Sequence, residues 1–493
     1  VKFTDEQQAA IDMAVKGDPF SLVAPAGSGK SATAWGMAKQ LKGKRVLYLV
    51  YNTQARRDAE KKFAGLDWVT VRTTSQLAWR AYANTHKDRM AIDAPHVPAK
   101  DVAKALNLTP KDFGDKLVLD GFTQARLAAD AIDKFANSAD TKLTEWHVSI
   151  PVVGPGEAAI QAARSYIAKL AWTLWNQSAK PSSNLRFTMN HAFKLLVESG
   201  ADQHYDVVIV DEAQDSNDAT MKFLKNQKGA QGIMIGDPAQ SLYAWRGATD
   251  QILRHDGPRL YLTQSFRFGE QVAAEAMKHL PHTLTGVTIK GLPTIKDIVS
   301  QGDMEDPDVV LTRTNAGAMT YAMSYLMAGK RVALVRGTKQ ILDLAYAARD
   351  LMSGRKARSL ELSAFDNWSE LVEYTKEPGG GHLKAIVKLI DAYGVSKLID
   401  ACNRMTRYNQ PHDVAVTTCH SIKGLEWDSV QIGDDFFEPE EVENPDSLEM
   451  EQGIIDRHEA MIHYVAVTRA KKHLDRGGLS WIDNYPAPAV DAL

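Results

Sequence analysis

The chain has 493 residues, too many for one hydrophobic core, so two or more domains are expected. With 44% hydrophobic and 24% charged residues and a formal net charge of −3, it has the composition of a globular enzyme. This excludes a polybasic, histone-like nucleic-acid binder, though not a motor with a locally basic groove.

In chain order, short apolar or β-branched runs recur, each ended by Gly, Asp, Thr or Asn. They are FSLVAP (20–25), VLYLVY (46–51), VVIVDE (207–212), IMIGD (233–237), VVLTR (309–313), RVALV (331–335) and DSVQIG (428–433). Most read as buried parallel strands, with helical stretches such as SATAWGMAKQL and ATMKFLKNQ between them. That alternation predicts α/β domains with ligands at the carboxyl ends of strands. Residues 81–190 and 317–411 are helical in period and read as insertions, the second interrupted by PGGG at 378–381, taken as a surface turn. The acidic stretch 438–451 reads as a solvated loop, and the PAPAV tail as disordered. Only Cys402 and Cys419 occur, which fits a reducing compartment, and the histidines show no metal-site spacing. No 18-residue apolar run or signal pattern is present, so a cytoplasmic chain is expected, with a bacterial or phage source compatible.

APAGSGKS (24–31) follows a strand and opens a helix, the setting a P-loop requires. Ala26, Gly27, Ser28 and Gly29 would cradle phosphates with backbone N–H groups, and the two glycines avoid a side-chain clash. Lys30 would reach the β- and γ-phosphates and Ser31 would ligate Mg²⁺. In VVIVDEAQD, Asp211 is placed to hold Mg²⁺, and Glu212 could orient and deprotonate a water. Two acidic residues after a strand could equally cap a helix, but the P-loop beside them favours chemistry. GDPAQSLYAWRGA (236–248) crowds Gln240, Tyr243, Trp245 and Arg246 just past a buried strand. Such aromatics read either as core or as a surface on which bases stack.

Taken with TDEQQ, LTQSFRFG, TTCHSIKGLEWDSV and YVAVTRA, these motifs resemble UvrD/Rep/PcrA-type superfamily-1 DNA helicases, with the F-box DNA helicase type the nearest in flavour. The resemblance runs from FTDEQQAAI to HYVAVTRAKKHL and fades in the two insertions. It implies two RecA-like parallel-sheet domains, each with an inserted, mainly helical subdomain. The first domain would be 1–80 and 191–257, with 81–190 inserted; the second 258–316 and 412–485, with 317–411 inserted and 486–493 as tail.

By resemblance, Gln7 reads the adenine edge, Phe266 stacks on the base, Glu426 lies near the ribose and Gln240 senses the γ-phosphate. Arg267 and Arg469 match the two arginines that act on that phosphate, a role worth about 10³–10⁵ in rate. Tyr51, Asn52, His420 and Lys423 fall in motifs near the nucleic acid, with Lys423 on a phosphate. Tyr243, Trp245 and Arg246 would grip bases, and base stacking tolerates any sequence. Two positions depart from the family: Ser75 stands where a DNA-contacting His is usual, and Ala32 where many relatives have Arg. Cys419 lies inside a motif, yet reads best as an inert core residue.

The expectation is an ATP-dependent, Mg²⁺-using helicase or translocase on single-stranded DNA and its junctions with duplex. The family implies 3′→5′ movement, and the inserted subdomains could meet a protein partner. The alternatives are a translocase that strips proteins without unwinding, an NTP-gated scaffold subunit, and an RNA motor.

Overall fold

The structure is a computed structural model that describes the chain except residues 1, 92–98, 151–154, 243–250, 256, 303, 356, 358–361, 363–364, 376–380, 444–449 and 489–493. It divides into two compact units: Val1–Ala24 with Gly29–Leu262, and Pro25–Ser28 with Thr263–Leu493.

The first unit is built on a six-stranded parallel sheet. Across it the strands run Arg259–Tyr261, Phe20–Val23, Gln231–Gly236, Val207–Asp211, Val46–Val50 and Val69–Thr73. Val46–Val50 and Gln231–Gly236 are buried at every position. A sheet covered on both faces demands continuous apolar runs of this kind rather than alternation. The adjacent strands Phe20–Val23, Gln231–Gly236 and Val207–Asp211 end close together, with Val23 beside Gly236 and Asp211 beside Ile235. Their carboxyl ends therefore bring the three motif loops to one edge, where open α/β sheets bind ligands.

Between the third and fourth strands in sequence, the chain leaves the sheet for a helical body. Its main helices are Gly121–Asn137 and Glu157–Ala179. Asp120 caps the first, its Oδ1 accepting from the Thr123 N–H at 2.6 Å. Ala125, Ala128 and Ala131 of one helix and Ala159, Ala163 and Ala171 of the other share a core with Phe135, Ile167 and Trp175. Small residues on both helices let the backbones approach and leave space for the aromatics.

The second unit holds a seven-stranded parallel sheet in the order Ile298–Ser300, Ala470–Asp475, Trp427–Ile432, Val309–Thr312, Val414–Thr418, Val332–Leu334 and Thr406–Arg407. Three placements differ from the sequence reading. Arg259–Tyr261, expected to open the second domain, is the edge strand of the first sheet, and that unit runs on to Leu262. Val332–Leu334 and Thr406–Arg407, expected inside the second insertion, belong to the second sheet, because VAL is buried at each position and pairs with Val414–Val416. The acidic stretch is not all loop: Val442–Glu443 pairs antiparallel with Met450–Glu451. The helix Gly381–Tyr393 starts at the last glycine of PGGG, and the rest of that motif lies outside the described residues. Among the described residues, no helix is long and apolar enough to cross a membrane.

A histidine cluster lies in the core of the second unit. His279 and His463 are buried with ring centroids 5.5 Å apart, and Phe436 and Trp481 pack on His463. Neither ring nitrogen of His279 has a hydrogen-bond partner among the described residues. Burial pushes both imidazoles down, His463 to about 4, and Lys278 and Arg476 add to the effect on His279 while Glu459 opposes it on His463. His282, a short way along the chain from His279, is also pushed down by burial. The unfolded chain therefore binds more protons, so stability is full above the ordinary value near 6.5 and erodes as pH falls toward 4. The thermal midpoint is expected to fall between pH 7 and pH 5, and to fall less in His279→Leu. Equal slopes in the two proteins, read by calorimetry, would contradict this.

Candidate active site

The loop after Phe20–Val23 turns sharply, and two glycines make the turn. Gly27 and Gly29 sit at φ of +73° and +81°, a region that L side chains rarely adopt. The turn feeds the helix Lys30–Gln40, whose N-terminus carries neither a side-chain cap nor an acidic residue in its first turn. Uncapped N–H groups at a positive helix end suit an anion. Ser31, in that first turn, is exposed.

Facing this helix within the first unit is the end of Val207–Asp211. Lys30 Nζ lies 3.2 Å from Glu212 Oε1. Asp211 is held on both oxygens: Tyr48 Oη donates to Oδ2 at 2.7 Å, and the Glu212 N–H donates to Oδ1 at 3.0 Å. Burial, and next the Glu212 carboxylate, push the Asp211 carboxyl up from its ordinary range, while Lys30 and the Tyr48 hydroxyl pull it back. The Tyr48 hydroxyl is itself pushed far up by burial and then by Asp211, so it remains a donor. Two adjacent carboxylates in this setting lack enough positive charge, which fits a divalent cation held by Asp211 with Ser31. Among the described residues, no group of three His, Cys, Asp or Glu side chains forms a separate metal site.

Glu212 adopts φ 52° and ψ 45°, left-handed for a residue with a Cβ. That conformation costs on the order of 1 kcal/mol and recurs at functional positions. Its other oxygen, Oε2, accepts from Gln214 Nε2 at 2.6 Å. Past the neighbouring strand, Gln240 is buried and its Nε2 donates to Asp237 Oδ2 at 2.6 Å. The structure thus joins Lys30, Asp211, Glu212 and Gln240 along one sheet edge.

The remaining expected residues are dispersed. Gln7 is buried in a capping box with Thr4, so its amide also starts the helix Asp5–Lys16. Asn52 caps the helix Thr53–Lys62, with Oδ1 accepting from the Ala55 N–H at 2.8 Å, and Tyr51 beside it is 44% exposed. In the second unit Phe266 is 44% exposed. Arg267 Nε pairs with Glu426 Oε2 at 2.7 Å, off the axis of a hydrogen bond, and its Nη1 donates to the Thr468 carbonyl at 3.0 Å. Arg469 is buried, with Nε donating to the Val465 carbonyl at 2.9 Å. His420 is half-buried, and burial, then Arg313, pushes its imidazole down; Lys423 is also half-buried. Cys419 is fully buried and its thiol is pushed up by burial, as an inert core residue should be. Tyr243, Trp245 and Arg246 lie outside the described residues.

Sequence reasoning missed Tyr48, Gln214 and Asp237. Tyr48 stands in an otherwise aliphatic run, VLYLV, and that lone hydroxyl in a buried strand was the available signal.

The parallel sheets, the glycine turn that opens the helix Lys30–Gln40 and the acidic strand end form an α/β site suited to a phosphate and a divalent cation. The UvrD/REP helicase N-terminal domain matches residues 3–258 and the UvrD-like helicase C-terminal domain matches residues 295–476, so the chain belongs to the UvrD/REP helicase family. It is 26% identical to F-box DNA helicase protein 1 of Schizosaccharomyces pombe, over 96% of this chain and 57% of that protein. It is 25% identical to F-box DNA helicase 1 of Gallus gallus, over 96% of this chain and 49% of that one. A probable DNA helicase II homolog of Mycoplasma capricolum is 22% identical over 54% of this chain and 39% of its own. The chain spans about half the length of the two F-box relatives.

Tyr48→Phe keeps the packing on Phe63, whose ring lies 4.7 Å away, but removes the donor to Asp211. A hydrogen bond to a charged group is worth about 1.5 kcal/mol or more, so nucleotide turnover should fall roughly tenfold. The requirement for Mg²⁺ should rise with it. A magnesium titration of steady-state hydrolysis checks this, and wild-type curves would remove Tyr48 from the site.

Proposed function

We propose that the chain is an ATP-dependent DNA motor that moves along single-stranded DNA in the 3′→5′ direction and opens duplex ahead of it. The observation that carries this reading is the Lys30–Glu212 pair at 3.2 Å beside the doubly held Asp211, at the mouth of a parallel sheet. Lys30 neutralises the β- and γ-phosphates, with the backbone of Ala26, Gly27, Ser28 and Gly29 around them. Asp211 and Ser31 hold Mg²⁺, which supplies charge neutralisation to the phosphoryl group. Glu212 orients the attacking water and takes its proton. Gln240 responds to the γ-phosphate, and Arg267 and Arg469 supply positive charge to it. Gln7, Phe266 and Glu426 bind the nucleoside. Tyr51, Asn52, Tyr243, Trp245, Arg246, His420 and Lys423 make the DNA path, where stacking on an aromatic gives about 1–3 kcal/mol per base without sequence preference.

The helicase family and the names of the relatives support DNA as the substrate. Direction and the single-strand track rest on the family resemblance of the motifs.

Unwinding of a duplex with a 3′ single-stranded tail tests the reading. Wild-type protein should separate that substrate with ATP and leave its 5′-tailed counterpart intact. Lys30→Ala should abolish both hydrolysis and separation while still binding the tail. ATP turnover without strand separation would reduce the protein to a translocase, and wild-type hydrolysis in Lys30→Ala would remove the P-loop assignment.

A further inference from the structure

Gln214 is fully buried, yet it lies two residues from the glutamate proposed to handle water and is tied at three points. Its Nε2 donates to Glu212 Oε2 at 2.6 Å. Its Oε1 accepts from the Asp237 N–H at 3.1 Å. Its main-chain carbonyl accepts from Ser241 Oγ at 3.2 Å. The backbone opposite leaves room for the side chain: a Cβ on Gly236 would stand 2.0 Å from Gln214 Oε1, so a larger residue there would push the amide out of this position.

These contacts settle the orientation of the amide. The Asp237 N–H requires an acceptor, so the oxygen end must face it, and the NH₂ end then faces the carboxylate. Glu212 is held from both sides, by Lys30 on Oε1 and by Gln214 on Oε2. A carboxylate on a flexible side chain and a strained backbone would otherwise be free to rotate. Asp237 in turn accepts from Gln240, so one amide connects the glutamate to the segment that carries Gln240.

We propose that Gln214 is a positioning residue for hydrolysis: it fixes the Glu212 carboxylate against the end of the strand Gln231–Gly236. It acts through Glu212 and touches no reacting atom, and the inference rests on the reading of Glu212 as the residue that activates water. Losing a positioning contact lowers the rate of chemistry more than it weakens nucleotide binding.

Three variants of the full chain test this, assayed for ATP hydrolysis with saturating poly-dT. Gln214→Leu keeps the volume but removes both hydrogen bonds. Its kcat should fall by roughly 10- to 100-fold with KM for ATP within about threefold of wild type. Gln214→Glu keeps an oxygen for the Asp237 N–H but sets a second carboxylate against Glu212. Two carboxylates at that spacing cannot both ionise, so the variant should be slow at pH 8 and recover as pH falls toward 6, when a shared proton restores the donor. This pH profile also serves if Gln214→Leu fails to fold. Glu212→Gln is the reference and should lose turnover entirely. An inactive Glu212→Gln beside a wild-type kcat in Gln214→Leu overturns the positioning role alone. So does a Gln214→Glu profile parallel to wild type. Wild-type turnover in Glu212→Gln instead overturns the reading of Glu212 on which the inference rests.

Discussion

The first unit is organised around a carboxylate that the fold has partly withdrawn from water. Asp211 ends a strand in the middle of a parallel sheet, where burial opposes its charge, and Glu212 follows it directly. Leaving such a pair uncompensated would be costly. The surrounding donors answer that cost: Tyr48 and the Glu212 N–H on Asp211, and Lys30 and Gln214 on Glu212. Compensation is only partial, since Asp211 remains pushed up. Such partial compensation leaves the pair suited to a divalent cation.

The same constraint explains the neighbouring backbone. The helix Lys30–Gln40 leaves its first turn without acid or side-chain cap, an arrangement that suits an anion. Gly236 lacks a side chain where Gln214 must pass. Glu212 accepts a left-handed backbone so that its side chain meets Lys30 and Gln214 together. Each of these choices is poor for local stability and sensible for positioning charge.

Much of this was legible in the residues. The runs FSLV, VLYLV, VVIVD and QGIMIG announce buried strands because a doubly covered sheet needs unbroken apolar stretches. The P-loop glycines and Lys30 are read from spacing, because local turn chemistry dictates them. Arg259–Tyr261 was not legible as part of the first sheet: three residues, partly exposed, pair among the described residues only with Phe20–Val23, and pairing over such separations leaves no local mark. For the same reason the partners of Asp211 and Glu212 escaped notice. Tyr48 is 163 positions from Asp211, and Gln214 meets Asp237 across two strand ends. Val332–Leu334 shows the opposite error, in which a correct strand signal was overruled by the helical period around it. In the second unit, motif matching located Arg267 and Arg469 but not their partners, the Glu426 carboxylate for Arg267 and the Val465 carbonyl for Arg469.

Steady-state ATP hydrolysis with and without poly-dT, and with poly-U for comparison, tests the central claim most directly. A DNA motor built on this site should hydrolyse slowly alone, be stimulated strongly by poly-dT, and respond much less to poly-U. A rate that neither strand changes would contradict the account, and equal stimulation by both would contradict its assignment to DNA.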